Sequence, residues 1–205
     1  IRKKTFEQLA DIAVEHDLYI FSDEAYEKII YDGAKHVSPA SLNGMEDYVV
    51  SFYTFSKTYA MCGFRLGYCV APLSLAEAIK KTHVYTTICA PNISQLLGLK
   101  ALSLPSKYTD AMVRSYKKRR DLLVPRLNEL GLSTPMPKGA FYAFSNITQF
   151  AKNSKKFSLD LIKKASVATV PGTDFGAHGE GHIRFSYATD IKIIEKALSR
   201  IEKFL

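Results

Sequence analysis

Thr54-Phe55-Ser56-Lys57-Thr58-Tyr59-Ala60-Met61-Cys62-Gly63-Phe64-Arg65-Leu66-Gly67-Tyr68 sets the architecture expected of this chain. It runs between two short apolar stretches, Val49-Val50-Ser51-Phe52-Tyr53 before it and Leu66-Gly67-Tyr68-Cys69-Val70-Ala71 at its end. Both have the length and the β-branched and aromatic content of strands. Both are apolar at odd and even positions alike, the pattern of a parallel or mixed sheet covered on both sides. A third such stretch, Leu18-Tyr19-Ile20-Phe21, leads into Ser22-Asp23-Glu24-Ala25-Tyr26. In open α/β sheets, ligands bind outside the carboxyl ends of the strands. The groups after Phe21 and after Tyr53 are therefore expected to project into one crevice.

Helical periodicity surrounds these strands. It covers residues 6–14, with Thr5 as the expected cap, and then 75–84 and 94–103. Pro105 breaks the pattern before a long amphipathic helix over about 108–130, which Gly131 is placed to stop. Beyond it the order changes to a strand near 141–145, a helix near 159–166, a strand near 183–186 and a helix from Asp190 onward. The expectation is an α/β domain over 1–107, a mostly parallel sheet with helices on both faces, followed by a small α+β domain over 108–205 entered through the long helix.

The chain has 205 residues, of which 47% are hydrophobic, enough to bury a core and inconsistent with a disordered polymer. No apolar run reaches the length needed to cross a bilayer, and Ile1-Arg2-Lys3-Lys4 is not followed by a signal-peptide core. With no initiator Met, the chain is expected to begin within a longer protein. Three cysteines without metal-ligand spacing suit a reducing cytoplasm. A net charge of +8 raises the question of nucleic acid, but the densest basic run, Lys117-Lys118-Arg119-Arg120, reads as a solvated helix face. Neither nucleic acid nor membrane is an expected partner; a basic site also suits phosphates and carboxylates.

Taken singly, the candidate site residues have ordinary explanations. A Lys after a strand is usually solvated. Asp23 is suited to capping a turn, Tyr26 to a core with its hydroxyl at the surface, and Arg65 to an ordinary ion pair. Taken together, an amine, a permanently charged planar guanidinium, the hydroxyls of Thr54 and Ser56, and a carboxylate with a phenol nearby form a set for a phosphate clamp or a Schiff-base amine.

With Gly63-Phe64-Arg65-Leu66-Gly67-Tyr68, Arg119-Arg120-Asp121, Pro137-Lys138-Gly139-Ala140-Phe141-Tyr142, Pro171-Gly172, Phe175-Gly176 and Ile183-Arg184-Phe185-Ser186-Tyr187-Ala188 in that order, nearly the whole chain resembles the C-terminal half of the class I and II aminotransferases of fold type I, the aspartate aminotransferase family. Phe64 stands where many members carry Trp. Members are longer, and the absent part would supply further phosphate contacts, an aromatic that stacks on the cofactor ring and an Asn at the ring oxygen.

The resemblance implies pyridoxal 5'-phosphate as cofactor, held by Lys57 as a Schiff base, with the freed amine moving the substrate's α-proton. It implies Asp23 at the pyridine nitrogen, Tyr26 at the ring oxygen, Arg65, Thr54 and Ser56 on the phosphate, and Arg184 on the substrate α-carboxylate. Gly63 and Gly67 are expected to allow a tight backbone near the phosphate, and Gly139 to turn Phe141 and Tyr142 toward substrate. His36, His83, His178 and His182 read as structural or surface residues, none with a partner that would make it a catalytic base. The implied reaction transfers an amino group between an amino acid and a 2-oxo acid in a cytoplasmic homodimer. Carbon–sulfur β-elimination on the same scaffold and a non-catalytic regulatory domain are the alternatives. The 205-residue chain alone is expected to be inactive.

Overall fold

The computed structural model describes residues 1–205, which divide into two compact units, Ile1–Thr109 and Asp110–Leu205. In the first, α1 (Lys3–Glu15) is followed by β1 (Ile20–Asp23), β2 (Val49–Thr54), the single-turn α2 (Phe55–Thr58), β3 (Gly67–Val70), α3 (Leu73–Thr87) and α4 (Asn92–Leu102). The sheet order is β1-β2-β3. β1 runs parallel to β2, with Asp23 opposite Phe52, and β3 runs antiparallel to β2, with Gly67 opposite Thr54. The pairing is therefore mixed. Residues 24–48 are enough chain to return β2 beside β1 in the same direction, whereas parallel crossovers need a dozen or more residues and usually a helix. The link between β2 and β3 spends its residues on two tight turns, and β3 comes back antiparallel.

α1 lies on the sheet through Ala10 and Ala13, which pack with Met45 and Val49 and against Ile20 and Tyr48. Its cap is Arg2, with no side-chain hydrogen bond, so Thr5 sits inside the helix rather than capping it. α4 supports the link from β2 to β3, with Ala101 buried against Phe55 and Leu66. Not every expected strand residue is covered within this unit. Phe21 is 66% exposed, its ring 5.9 Å from that of Phe52, and Tyr68 and Val70 of β3 are exposed as well. α3 buries no side chain, and Tyr85 is 87% exposed.

In the second unit, the remainder of α5 (Lys107–Glu129) precedes β4 (Tyr142–Asn146), α6 (Ser154–Asp160), the two-residue β5 (Val170–Pro171), β6 (His182–Ser186) and α7 (Ile191–Phe204). The sheet is antiparallel with order β4-β6-β5. Burial alternates along β4 and β6, so Ala143, Ser145, Ile183 and Phe185 face the core with Leu123, Val124 and Leu127 of α5 and Ile194, Leu198 and Ile201 of α7. The spacing of those α7 residues draws an apolar stripe on one face of the helix. The helix expected near 159–166 begins earlier, at Ser154, where Asn153 accepts from Lys156 N, and ends in a π-helical turn over Leu161–Ala165.

The basic run of α5 is not uniformly solvated. Arg120 is 2% exposed; its Nη1 donates to Pro137 O at 2.7 Å, and its Nε and Nη2 donate to Asp121 Oδ1 at 2.8 and 2.6 Å. Burial raises the Asp121 carboxyl, but hydrogen bonds and charge from Lys117 and Arg120 outweigh it and hold the group below its usual range. Phe141 packs into this core against Tyr116 at 5.2 Å rather than turning outward, and the left-handed residue of the preceding turn is Ala140, φ 59°, not Gly139.

Gly172 and Gly179 touch backbone to backbone: a methyl group on Gly172 would overlap the Gly179 carbonyl and lie 2.7 Å from His182 O. Because the obstruction is backbone, it cannot swing aside. Gly172→Ala is expected to destabilise the protein by about 3 kcal/mol, read as a fall in the denaturant midpoint, and an unchanged midpoint would show that the 172–179 loop yields.

Candidate active site

Thr54 ends β2 in extended backbone, and its Oγ1 accepts from Ser56 N at 3.1 Å, so it caps the turn that carries Lys57. The same hydroxyl reaches Leu66 O at 3.4 Å, and Phe55 N donates to Leu66 O at 3.1 Å. The start and end of the link are thereby fastened together. Ser94 of α4 donates to Phe64 O at 2.7 Å, and Gly98 lets α4 approach so closely that a methyl there would lie 2.5 Å from Leu66 Cδ2. Arg65 is held left-handed at φ 50°, unusual for a side chain with a Cβ, and its Nη1 donates to Cys62 O at 2.9 Å. Strained backbone of this kind costs on the order of 1 kcal/mol and persists where the surroundings enforce it, often at functional sites.

Because β1 and β2 are parallel, Asp23 and Thr54 finish at the same edge of the sheet, and because β3 is antiparallel, Arg65 enters from that edge too. Asp23 is exposed, and its Oδ1 accepts from Ala25 N at 3.1 Å. The turn after it carries Tyr26 and Glu27, and Thr58, itself buried, donates from Oγ1 to both carboxylate oxygens of Glu27 at 3.1 Å. Lys57 lies next to the residue that makes this tether. Of the expected site residues, Asp23, Tyr26, Thr54, Ser56, Lys57 and Arg65 therefore gather at one sheet edge of the first unit. Arg184 is on β6 of the second unit, its guanidinium carbon over the Tyr142 ring at 4.2 Å from the centroid and over the Phe175 ring at 4.5 Å.

Two carboxylates behind this edge were not among the candidates. Glu27 fastens the Tyr26 turn to α2, and burial, with the charge of Glu27 adding to it, pushes the phenols of Tyr59 and Tyr68 up. Glu24 is 2% exposed, accepts from Ser22 Oγ at 3.0 Å and pairs with His36. The sequence signal was there in the two Glu residues flanking Ala25-Tyr26, but charged residues beside a strand end ordinarily read as solvated. Of the two glycines in the link, Gly67 makes a tight backbone approach, since a methyl would lie 2.7 Å from Tyr53 O, whereas Gly63 has open space around it.

With this geometry in place, the comparisons give the family. The profile of the class I and II aminotransferases matches residues 1–201, and the chain belongs to that family. It is 45% identical over 207 residues to aromatic-amino-acid aminotransferase 2 of Thermococcus litoralis and to an aspartate aminotransferase of Pyrococcus abyssi, in each case covering 100% of this chain and 53% of the relative. The crystal structure of an aromatic aminotransferase from Pyrococcus horikoshii superposes with a TM-score of 0.95 at 45% identity, over 99% of this chain and 55% of that one. An aspartate aminotransferase from Thermotoga maritima gives 0.91 at 33% identity, over 99% and 52%. The fold is thus the α/β fold of these enzymes, and the chain spans about half the length of the curated relatives it matches.

The tether between Glu27 and Thr58 is open to test. Thr58→Val keeps shape and removes the donor to a charged acceptor, so it is expected to cost about 2 kcal/mol in urea unfolding, with Thr58→Ser restoring most of it. Equal stability of wild type and Thr58→Val would mean that the tether does not hold the turn.

Proposed function

We propose that this chain forms part of a pyridoxal-phosphate-dependent enzyme that transfers an amino group between an amino acid and a 2-oxo acid. The observation that carries the reading is the convergence of an amine, a guanidinium, two hydroxyls and a carboxylate at one sheet edge, in a family of aminotransferases. That donor set fits the cofactor. Asp23 keeps Oδ2 free of hydrogen bonds within the protein and suits a protonated ring nitrogen; Arg65, Ser56 and Thr54 suit a phosphate. Bound pyridoxal phosphate would supply an aldehyde that condenses with amines and a ring that accepts the electron pair left when an α-proton departs.

This chain's residues then do the positioning and the proton transfer. Lys57 Nζ would hold the cofactor and would move the proton at the substrate Cα, which requires an unprotonated amine at that moment. The Asp23 carboxylate would keep the ring nitrogen protonated, and Tyr26 would donate to the ring oxygen. Arg65 anchors the phosphate, and its strained loop, backed by α4, keeps that anchor from drifting. Arg184 takes the substrate α-carboxylate by analogy with the family. We place the protein in the cytoplasm, as a homodimer; the three free cysteines suit that compartment. No helix is long and apolar enough to cross a membrane. The exposed apolar residues of β1, β3, α3 and α4 suit packing against further protein, so residues 1–205 alone are expected to be inactive.

Borohydride reduction of the complete, cofactor-loaded enzyme followed by peptide mass spectrometry is expected to place the adduct on Lys57; an adduct on Lys28, Lys80 or Lys138 would refute the assignment. Lys57→Ala is expected to abolish turnover, and Asp23→Asn to retain the fold while losing at least about a hundredfold in kcat. Near-normal turnover of Asp23→Asn would remove Asp23 from the ring nitrogen. Release of pyruvate from a β-substituted amino acid, without formation of an aminated cofactor, would point to elimination instead of transfer.

A further inference from the structure

Arg184 sits on the half-open face of the second sheet, and strand parity decides what surrounds it. Tyr142, Phe144 and Asn146 of β4 share that face with His182, Arg184 and Ser186 of β6. Phe144 is directly opposite Arg184, Tyr142 is its diagonal neighbour, and Phe175 comes from the turn Gly172–Phe175. Tyr142 covers one guanidinium contact at 4.2 Å and Phe175 another at 4.5 Å. Phe175 is in turn met edge-on by Phe144 at 6.1 Å, and Phe144 stacks on His182 at 5.0 Å. The Arg184 side chain makes no hydrogen bond or ion pair within the chain, so two aromatic rings, and no carboxylate, determine where it points.

A guanidinium is a flat fork whose N–H donors all lie in its plane. Rings that occupy its faces leave its edge as the approach for an acceptor, and a carboxylate meets that edge with two parallel hydrogen bonds. We infer that Tyr142 and Phe175 are positioning residues that hold Arg184 edge-on to a planar carboxylate, so that the bidentate geometry is present before the ligand arrives. The inference rests on the reading of Arg184 as the carboxylate ligand and adds to it the means by which the fork is aimed. It also explains why the 172–179 loop is so tightly built: the backbone contact of Gly172 with Gly179 fixes the turn from which Phe175 projects. A lysine at 184 would keep the charge and lose both the stacking and the fork.

The test uses the complete, cofactor-loaded enzyme and two readouts, the dissociation constant of propionate by titration calorimetry and the split between KM and kcat for an amino acid. Phe175→Leu keeps apolar bulk and removes the ring face. It is expected to weaken propionate and raise KM by roughly tenfold, the scale of a cation–π contact in a partly desolvated site, with the change in KM rather than kcat. Phe175→Tyr, which restores a ring, is expected to recover the affinity. Should Phe175→Leu fold poorly, Tyr142→Leu makes the same test with the other ring. Unchanged propionate affinity in Phe175→Leu while Arg184→Ala abolishes binding would overturn the positioning role alone. Unchanged affinity in Arg184→Ala would overturn the reading of Arg184 as well. A fall in kcat with KM and propionate binding untouched would also count against positioning, since it would reflect general loosening.

Discussion

The hydrogen bonds and packing that close the link between β2 and β3 on itself are what the first unit's candidate site depends on. Thr54 caps α2, Phe55 N and Thr54 Oγ1 both reach Leu66 O, and Phe55 and Leu66 bury themselves against α4. The closure fixes three things together. It places Lys57 in a one-turn helix at the strand end, holds Arg65 in left-handed backbone, and turns β3 back antiparallel so that Arg65 sits at the edge where β1 delivers Asp23. Loosening α4 would therefore move the proposed phosphate anchor relative to the amine without touching either residue, an error of the size to which positional catalysis is sensitive.

Much of this edge was legible in the sequence because strand-end chemistry is local. An apolar run leading into Thr54-Phe55-Ser56-Lys57 declares both a strand and the polar turn at its end, and likewise Phe21 with Ser22-Asp23. The features that escaped the sequence depend on contacts through space. The reversal of β3 comes from how the link spends its residues, and the left-handed Arg65 comes from the closure. The pairing of Glu24 with His36 joins positions twelve apart across an irregular loop. Arg120 reads as one more residue of a basic helix until the Pro137 carbonyl arrives from a distant turn to satisfy it. The exposure of Phe21 and Val70 belongs to the same class, since periodicity reports which faces are apolar and not whether these 205 residues are what covers them.

The two units solve different problems. The first gathers polar groups at the ends of strands, where backbone pairing stops and side chains are free to converge. The second presents its arginine from the middle of a strand, where position is fixed by register and direction by the alternation of faces. A one-residue slip of β6 against β4 would send Arg184 into the core and Ile183 or Phe185 outward, so the buried side chains that hold the register also hold the guanidinium on the open face.

That arrangement divides labour between burial and stacking. The inner face of β4 and β6 decides on which side Arg184 emerges, and it does so with apolar area, which is not directional. Direction then has to come from elsewhere. A hydrogen-bonded carboxylate of the protein would supply it, but it would also compete with any carboxylate ligand for the same donors. Aromatic rings attract a cation without taking its N–H donors as a carboxylate would, so in the inferred arrangement Tyr142 and Phe175 provide orientation without competition. The choice of rings over an ion pair is thus what a guanidinium must have if it is to be both held still and kept available.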